Sequence, residues 1–100
     1  MASELFKIAT VLEEKRLYRF TDQLRGCGMS IPNNIAESTG TNMKGEQQQL
    51  LRYAKRECYE AANILVILLN ESLIDQETKI KMYEELDILS RQIQTYSNKL

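Results

Sequence analysis

Residues 54–69 read AKRECYEAANILVILL, and they decide the fold of this chain. Apolar residues recur there at steps of four and three, as in an amphipathic helix, at Ala54, Cys58, Ala61, Leu65 and Leu68. The same steps return further along, at Met82, Leu86, Leu89, Ile93, Tyr96 and Leu100. Two long helices are therefore predicted, near residues 44–70 and 76–98. Their short connection makes the pair antiparallel, with Asp75 as the N-cap of the second one.

The N-terminal half carries another stripe, which runs through a proline and comprises Leu17, Phe20, Leu24, Cys27, Ile31 and Ile35. Because the stripe keeps its phase across Pro32, we predict one proline-kinked helix near residues 18–37; a loop over residues 26–32 is the alternative. A short helix near residues 4–14 precedes it. The predicted fold is all-α, an antiparallel up-and-down four-helix bundle with residues 1–100 as a single domain.

The composition excludes most catalytic chemistry. Among 100 residues there are two cysteines and no histidine, so a Ser-His-Asp triad and the usual transition-metal sites lack a member. Cys27 and Cys58 form no C-x-x-C pair and are predicted to be buried thiols. The glutamates Glu57, Glu60, Glu84 and Glu85 are predicted to form a solvated acidic face, because a di-iron site would pair them with histidines. We expect no enzymatic activity, no cofactor and no metal.

No segment is typical of a targeting or membrane sequence. Charged residues interrupt the first 16 residues, which therefore lack the continuous apolar core of a secretory signal. The longest nearly apolar run, residues 61–69, is far shorter than the ~20 residues of a membrane span. We expect a cytoplasmic protein with no membrane partner.

Basic residues cluster in the first half of the chain. Residues 1–56 hold nine basic and six acidic side chains, whereas residues 57–100 hold four and eight. Cations interleaved with tyrosines are typical of a surface that follows a phosphate backbone, although a pI near 5.5 is low for a nucleic-acid-binding domain and charged bundle faces are usually just solvated. The candidate nucleic-acid-binding residues are Arg16, Arg19, Arg25, Lys44, Arg52, Lys55 and Arg56.

Residues 61–69 are apolar nearly all round the predicted helix, which is more than one bundle core requires. So small a domain has little material to cover two faces, so we expect a homo-oligomer; a monomer that wraps the segment completely is the alternative. The candidate interface residues are Tyr59, Ile64, Val66, Ile67 and Leu69. The same face could instead receive a partner helix, which makes a protein–protein interaction adapter the alternative function.

Two segments carry a family resemblance: residues 18–25, YRFTDQLR, and residues 30–37, SIPNNIAE. With Lys44-Gly45-Glu46 and Leu73-Ile74-Asp75, they make the chain resemble the four-helix-bundle proteins encoded by intervening sequences within bacterial 23S ribosomal RNA genes. The resemblance implies a non-enzymatic scaffold that assembles as a ring-like homopentamer. Through the related accessory protein of diversity-generating retroelements, it also implies binding to RNA or DNA, or to a ribonucleoprotein or reverse transcriptase partner, through a basic surface on the second and third helices.

One departure from the family pattern concerns the start of the third helix. Met43 stands where the family often has a capping serine. We therefore expect Asn42 to cap that helix instead.

Overall fold

Four helices follow one another along the chain. The computed structural model describes residues 2–100, and of Ala2 the backbone alone. The helices are α1 (Ala2–Glu14), α2 (Tyr18–Thr39), α3 (Lys44–Asn70) and α4 (Gln76–Asn98). No strand occurs in this range. The predicted all-α four-helix fold is confirmed, and each predicted helix end lies within two residues of the observed one.

Helix α2 is continuous through its proline. Pro32 lies inside the helix, so the alternative of a loop over residues 26–32 is wrong, while the kink itself stays a prediction. The helix also runs two residues further than predicted. The hydroxyl of Ser38 donates to the carbonyl of Ile35 at 2.6 Å and that of Thr39 to Ala36 at 2.7 Å, which ties the last turn to the helix.

The connections between helices use local polar contacts. Asp75 caps α4 as predicted, since its carboxylate accepts a hydrogen bond from the backbone N–H of Thr78 at 2.7 Å. The predicted cap at Asn42 is wrong, because α3 begins at Lys44 and its N-cap position is therefore Met43. The hydroxyl oxygen of Thr41 instead accepts from the N–H of Met43 at 3.3 Å.

Two turns lie outside these caps. Arg16, between α1 and α2, and Ser72, between α3 and α4, have φ values of 61° and 58°. Both are non-glycine residues in the left-handed region, which few L residues adopt. They allow the two sharp turns that return the chain along the bundle.

The core lies along α3, and the predicted stripe of that helix is buried together with Leu51 and Ile64. Ala54, Cys58, Ala61, Leu65 and Leu68 are each at most 1% exposed. The other helices contribute buried side chains on their facing stripes, chiefly Leu5, Leu12, Leu24, Met82 and Leu86. Within the described residues, extensive contacts join only consecutive helices, α1 with α2, α2 with α3 and α3 with α4.

The facing helices pair in opposite order. Gln48 of α3 bonds to Ser97 of α4, and further down α3 Lys55 bonds to Gln94. On α2, Gly28 is buried, and a Cβ there would lie 3.6 Å from the ring of Phe6 on α1. A Cβ at Gly28 would therefore be in ordinary van der Waals contact with α1. None of the helices in residues 2–100 is long and apolar enough to cross a bilayer.

Candidate nucleic-acid interface

A groove of about 500 Å³ lies between α3 and the C-terminal half of α4. Its floor is apolar, formed by the buried side chains of Leu51 and Ile93. The remaining lining is polar or cationic: Gln48, Arg52, Lys55, Arg56 and Tyr59 of α3, and Gln94, Ser97 and Asn98 of α4. We refer to this set of ten residues as the α3/α4 groove.

Three of the predicted binding cations meet in the α3/α4 groove. Arg52, Lys55 and Arg56 are three and four residues apart, so they share one face of α3. Lys55 donates from Nζ to Oε1 of Gln94 at 2.9 Å, which holds the ammonium against the α4 wall. None of the three forms an ion pair with any residue in the part of the chain that the structure describes. The groove therefore holds three cations with no carboxylate at ion-pair distance among the described residues.

Two tyrosines accompany these cations. Nζ of Lys55 lies 5.9 Å from the ring centroid of Tyr59, and Cζ of Arg56 lies 5.7 Å from that of Tyr53. Both distances are within the range of a cation–π contact. Tyr59 is 58% exposed. Tyr59 is a predicted oligomer contact, and in the structure it also lines the groove.

Arg25, another predicted cation, is occupied by an ion pair. Its Nη1 donates to Oε2 of Glu13 at 2.6 Å, across the α1/α2 contact. This hydrogen bond lowers the pKa of the Glu13 carboxyl and raises the pKa of Arg25. The contact joins α1 to α2, and Arg25 does not line the α3/α4 groove.

The remaining cations lie elsewhere on the molecule. Lys44 is the first residue of α3, Arg16 lies in the α1/α2 turn and Arg19 in the first turn of α2. Cys27 of α2 faces α3 at the level of residues 57–60. Arg19 lies eight residues before Cys27, which places it ~12 Å along the helix axis from the level of residues 57–60. Arg52 lies on the other side of that level. The seven predicted residues therefore do not form one continuous surface.

The predicted oligomer face is only partly available. Ile64 is 4% exposed and packs into the core of its own chain, so it offers almost no surface to a second subunit. Val66 and Leu69 are half-buried, and Ile67 is 38% exposed. Four residues of the segment 61–69 are buried in the core, Ala61, Ile64, Leu65 and Leu68, so only part of its apolar surface remains for a partner.

A second cluster of functional groups forms where α2 meets α3. The Sγ of Cys27 and carboxylate oxygens of Glu57 and Glu60 all lie within 4.8 Å of one another. Glu57 is half-buried, so the predicted solvated face holds for the exposed Glu60 but not for Glu57. The negative charge of Glu57 raises the pKa of Glu60. Sequence periodicity gave no sign of this cluster, because it depends on the packing of α2 against α3.

The two thiols are buried and unpaired, as predicted. Burial, with a hydrogen bond to Glu57, raises the pKa of Cys27 to about 12, and burial raises the pKa of Cys58 to about 11. Both thiols therefore stay protonated at neutral pH, in the form that is a weak nucleophile and a weak ligand.

Comparison with known proteins gives one match. A family model described as 23S rRNA-intervening sequence protein matches residues 1–95. No curated protein and no solved structure matches the chain. The matched range contains the α3/α4 groove apart from Ser97 and Asn98.

Proposed function

The chain belongs to the 23S rRNA-intervening sequence protein family, and from this premise we propose that it is a non-enzymatic scaffold that binds RNA or DNA, free or within a ribonucleoprotein. The α3/α4 groove is the binding site in this proposal. Its cations hold the phosphate backbone, and the amide and hydroxyl groups of its α4 wall add hydrogen bonds.

One observation carries the proposal. Arg52, Lys55 and Arg56 lie together in the α3/α4 groove with no ion pair among the described residues, although the chain as a whole has a net charge of −1. A local concentration of uncompensated cations in an acidic protein favours a polyanionic ligand over a diffuse electrostatic role. Each phosphate that such cations neutralise releases counterions, so binding weakens steeply with salt.

We further propose that the working unit is a homo-oligomer, with five subunits as the expected number. Apolar side chains remain on the outer surfaces of the helices, among them Val11, Ile67, Ile80 and Ile88 at 38–55% exposure. Several copies of the α3/α4 groove in one assembly would raise the avidity for a long nucleic acid without any new contact. Light scattering tests this proposal, which predicts five times the subunit mass of 11.6 kDa and is rejected by a monomer at micromolar concentration.

Fluorescence anisotropy with a labelled RNA tests the binding site. The double charge reversal Arg52→Glu with Arg56→Glu is expected to abolish measurable binding, because it places two carboxylates beside the phosphates. The matched control is Arg16→Glu with Arg19→Glu, which makes the same change in net charge at the α1/α2 turn and the start of α2. This control is expected to reduce affinity only through the loss of long-range electrostatic attraction. Near 0.15 M salt that attraction is largely screened.

Two results would contradict the proposal. Binding that is absent or indifferent to salt would remove nucleic acid as the ligand. An equal loss in the two double variants would show that net charge, and not the α3/α4 groove, determines affinity.

A further inference from the structure

The same pair of residues occurs on both walls at the middle of the α3/α4 contact. Lys55 precedes Tyr59 by four residues on α3, and Lys79 precedes Tyr83 by four residues on α4. In each pair the ammonium lies near the ring of the tyrosine, at 5.9 Å from the Tyr59 centroid and 4.5 Å from that of Tyr83. The two helices therefore present one aromatic ring and one cation each.

The two tyrosines line a common cavity next to the α3/α4 groove. This cavity has a volume of about 50 Å³, and Cys58, Ala62 and Leu86 contribute to its lining. It has room for little more than a water molecule, so a nucleobase does not enter it. Tyr59 and Tyr83, which are 58% and 43% exposed, instead leave part of their side chains open to a base outside the cavity.

The cavity adjoins the α3/α4 groove at Tyr59, which lines both. The groove and the cavity together extend from Arg52 to Ala62, which is ten residues of helix or ~15 Å. About four phosphates of a stacked strand span that length. Asp87 is the one carboxylate in the cavity lining, and its Oδ2 is 3.2 Å from Nη2 of Arg91, which compensates its charge. Negative charge therefore does not block this end of the track.

We propose that the α3/α4 groove and the adjoining tyrosine cavity form one track for a single-stranded RNA or DNA, in which the cations hold phosphates and Tyr59 and Tyr83 stack against bases. The inference rests on the proposed function and narrows its ligand. In a duplex the base faces are stacked on one another, and only an unpaired strand offers them to a tyrosine. Arg52, Lys55 and Arg56 would bind either form, whereas the exposed rings favour the single strand.

Anisotropy titrations of the full chain test the inference. The probes are labelled oligouridine and oligothymidine of about 12 nucleotides and a duplex of the same length. We expect at least one of the two single strands to bind about tenfold more tightly than the duplex. Tyr59→Leu is expected to weaken single-strand binding about tenfold, while Tyr59→Phe, which keeps the ring, stays within about twofold of the parent.

Two controls separate stacking from other effects. Tyr18 is 57% exposed and lies in the first turn of α2, away from the groove, so Tyr18→Leu is expected to leave binding unchanged. The slope of log affinity against log salt is expected to stay the same in Tyr59→Leu and to fall by about 0.7 in Lys55→Gln, since the second variant loses one phosphate contact. Tyr83→Leu repeats the test if Tyr59→Leu loses its helical circular dichroism.

The outcomes distinguish this inference from the proposed function. Equal or tighter binding of the duplex, or unchanged affinity in folded Tyr59→Leu and Tyr83→Leu, would overturn the single-strand track. In that case the proposed function would still hold, provided that the Arg52 and Arg56 charge reversal abolished nucleic-acid binding. No binding to any of the three probes would overturn both.

Discussion

Replacement of Leu65 by alanine tests the phase of α3, the helix on which both the core and the groove depend. Leu65 is fully buried, and the change removes three carbon atoms from the centre of the bundle. At about 0.8 kcal/mol for each buried carbon, the transfer cost is about 2.4 kcal/mol, and the cavity left behind raises it to about 3 kcal/mol. A 100-residue domain has about 5–15 kcal/mol of stability in total.

The matched control is Ile67→Ala, two residues along the same helix. Ile67 is 38% exposed, so its truncation leaves no closed cavity, and alanine is also the better helix former. We expect a cost of about 1 kcal/mol at this position. The difference of about 2 kcal/mol between the variants then comes mainly from burial, with a smaller part from helix propensity.

Urea unfolding followed by circular dichroism measures both costs. With a slope of about 1.5 kcal/mol per molar urea, Leu65→Ala is expected to lower the midpoint by about 2 M. Two protein concentrations should be compared, because assembly through Ile67 would make the cost of its truncation rise with concentration. A Leu65→Ala midpoint equal to that of the parent would refute the placement of Leu65 in the core.

Three further predictions concern the N-cap of α4, the two buried thiols and Gly26. Asp75→Ala is expected to lower the free energy of unfolding at pH 7, measured in urea, because α4 loses its side-chain cap. Because the bond to Thr78 lowers the pKa of Asp75, the cap contributes fully above the ordinary pKa of 3.8 and is lost as the pH falls through the lowered value, so parent and variant should converge in acid. Cys27 and Cys58 are expected to react with a thiol reagent at pH 8 only at the rate of unfolding, since burial keeps both protonated, and rapid labelling of the native protein would contradict their placement. Gly26→Ala is expected to raise the free energy of unfolding by about 0.5–1 kcal/mol, because a Cβ there meets nothing within 4 Å and alanine favours the helix; a destabilised variant would show that something covers this position in solution.

The helices were predictable from sequence because their information is local. The stripe of apolar residues sets the phase of each helix, and Asp75 marks the start of α4 through a contact only three residues long. The errors in the prediction concern helix ends, where a single residue determines the boundary. Asn42 is a good capping residue but lies one position before the N-cap of α3, and the hydroxyls of Ser38 and Thr39 extend α2 past its apolar stripe.

The candidate site was predictable only along one helix. Arg52, Lys55 and Arg56 share a face by spacing alone, so their grouping follows from the sequence. The pairing of Arg25 with Glu13, by contrast, depends on how α1 packs against α2, and no local pattern contains it. The same holds for the α4 wall of the groove, since Gln94 becomes a partner of Lys55 only through the register of two helices.

The pattern of helix contacts has a consequence for how the chain folds and opens. Since extensive contacts join each described helix to the next, few native contacts require the two ends of the chain to meet early. Such a low contact order is typical of chains that fold in microseconds to milliseconds. Helix α1 has α2 as its one extensive neighbour among the described residues, so we expect it to separate from the bundle more easily than α2, α3 or α4. Local opening of the molecule should therefore begin at α1, whose amide hydrogens should exchange first, and leave the α3/α4 groove intact.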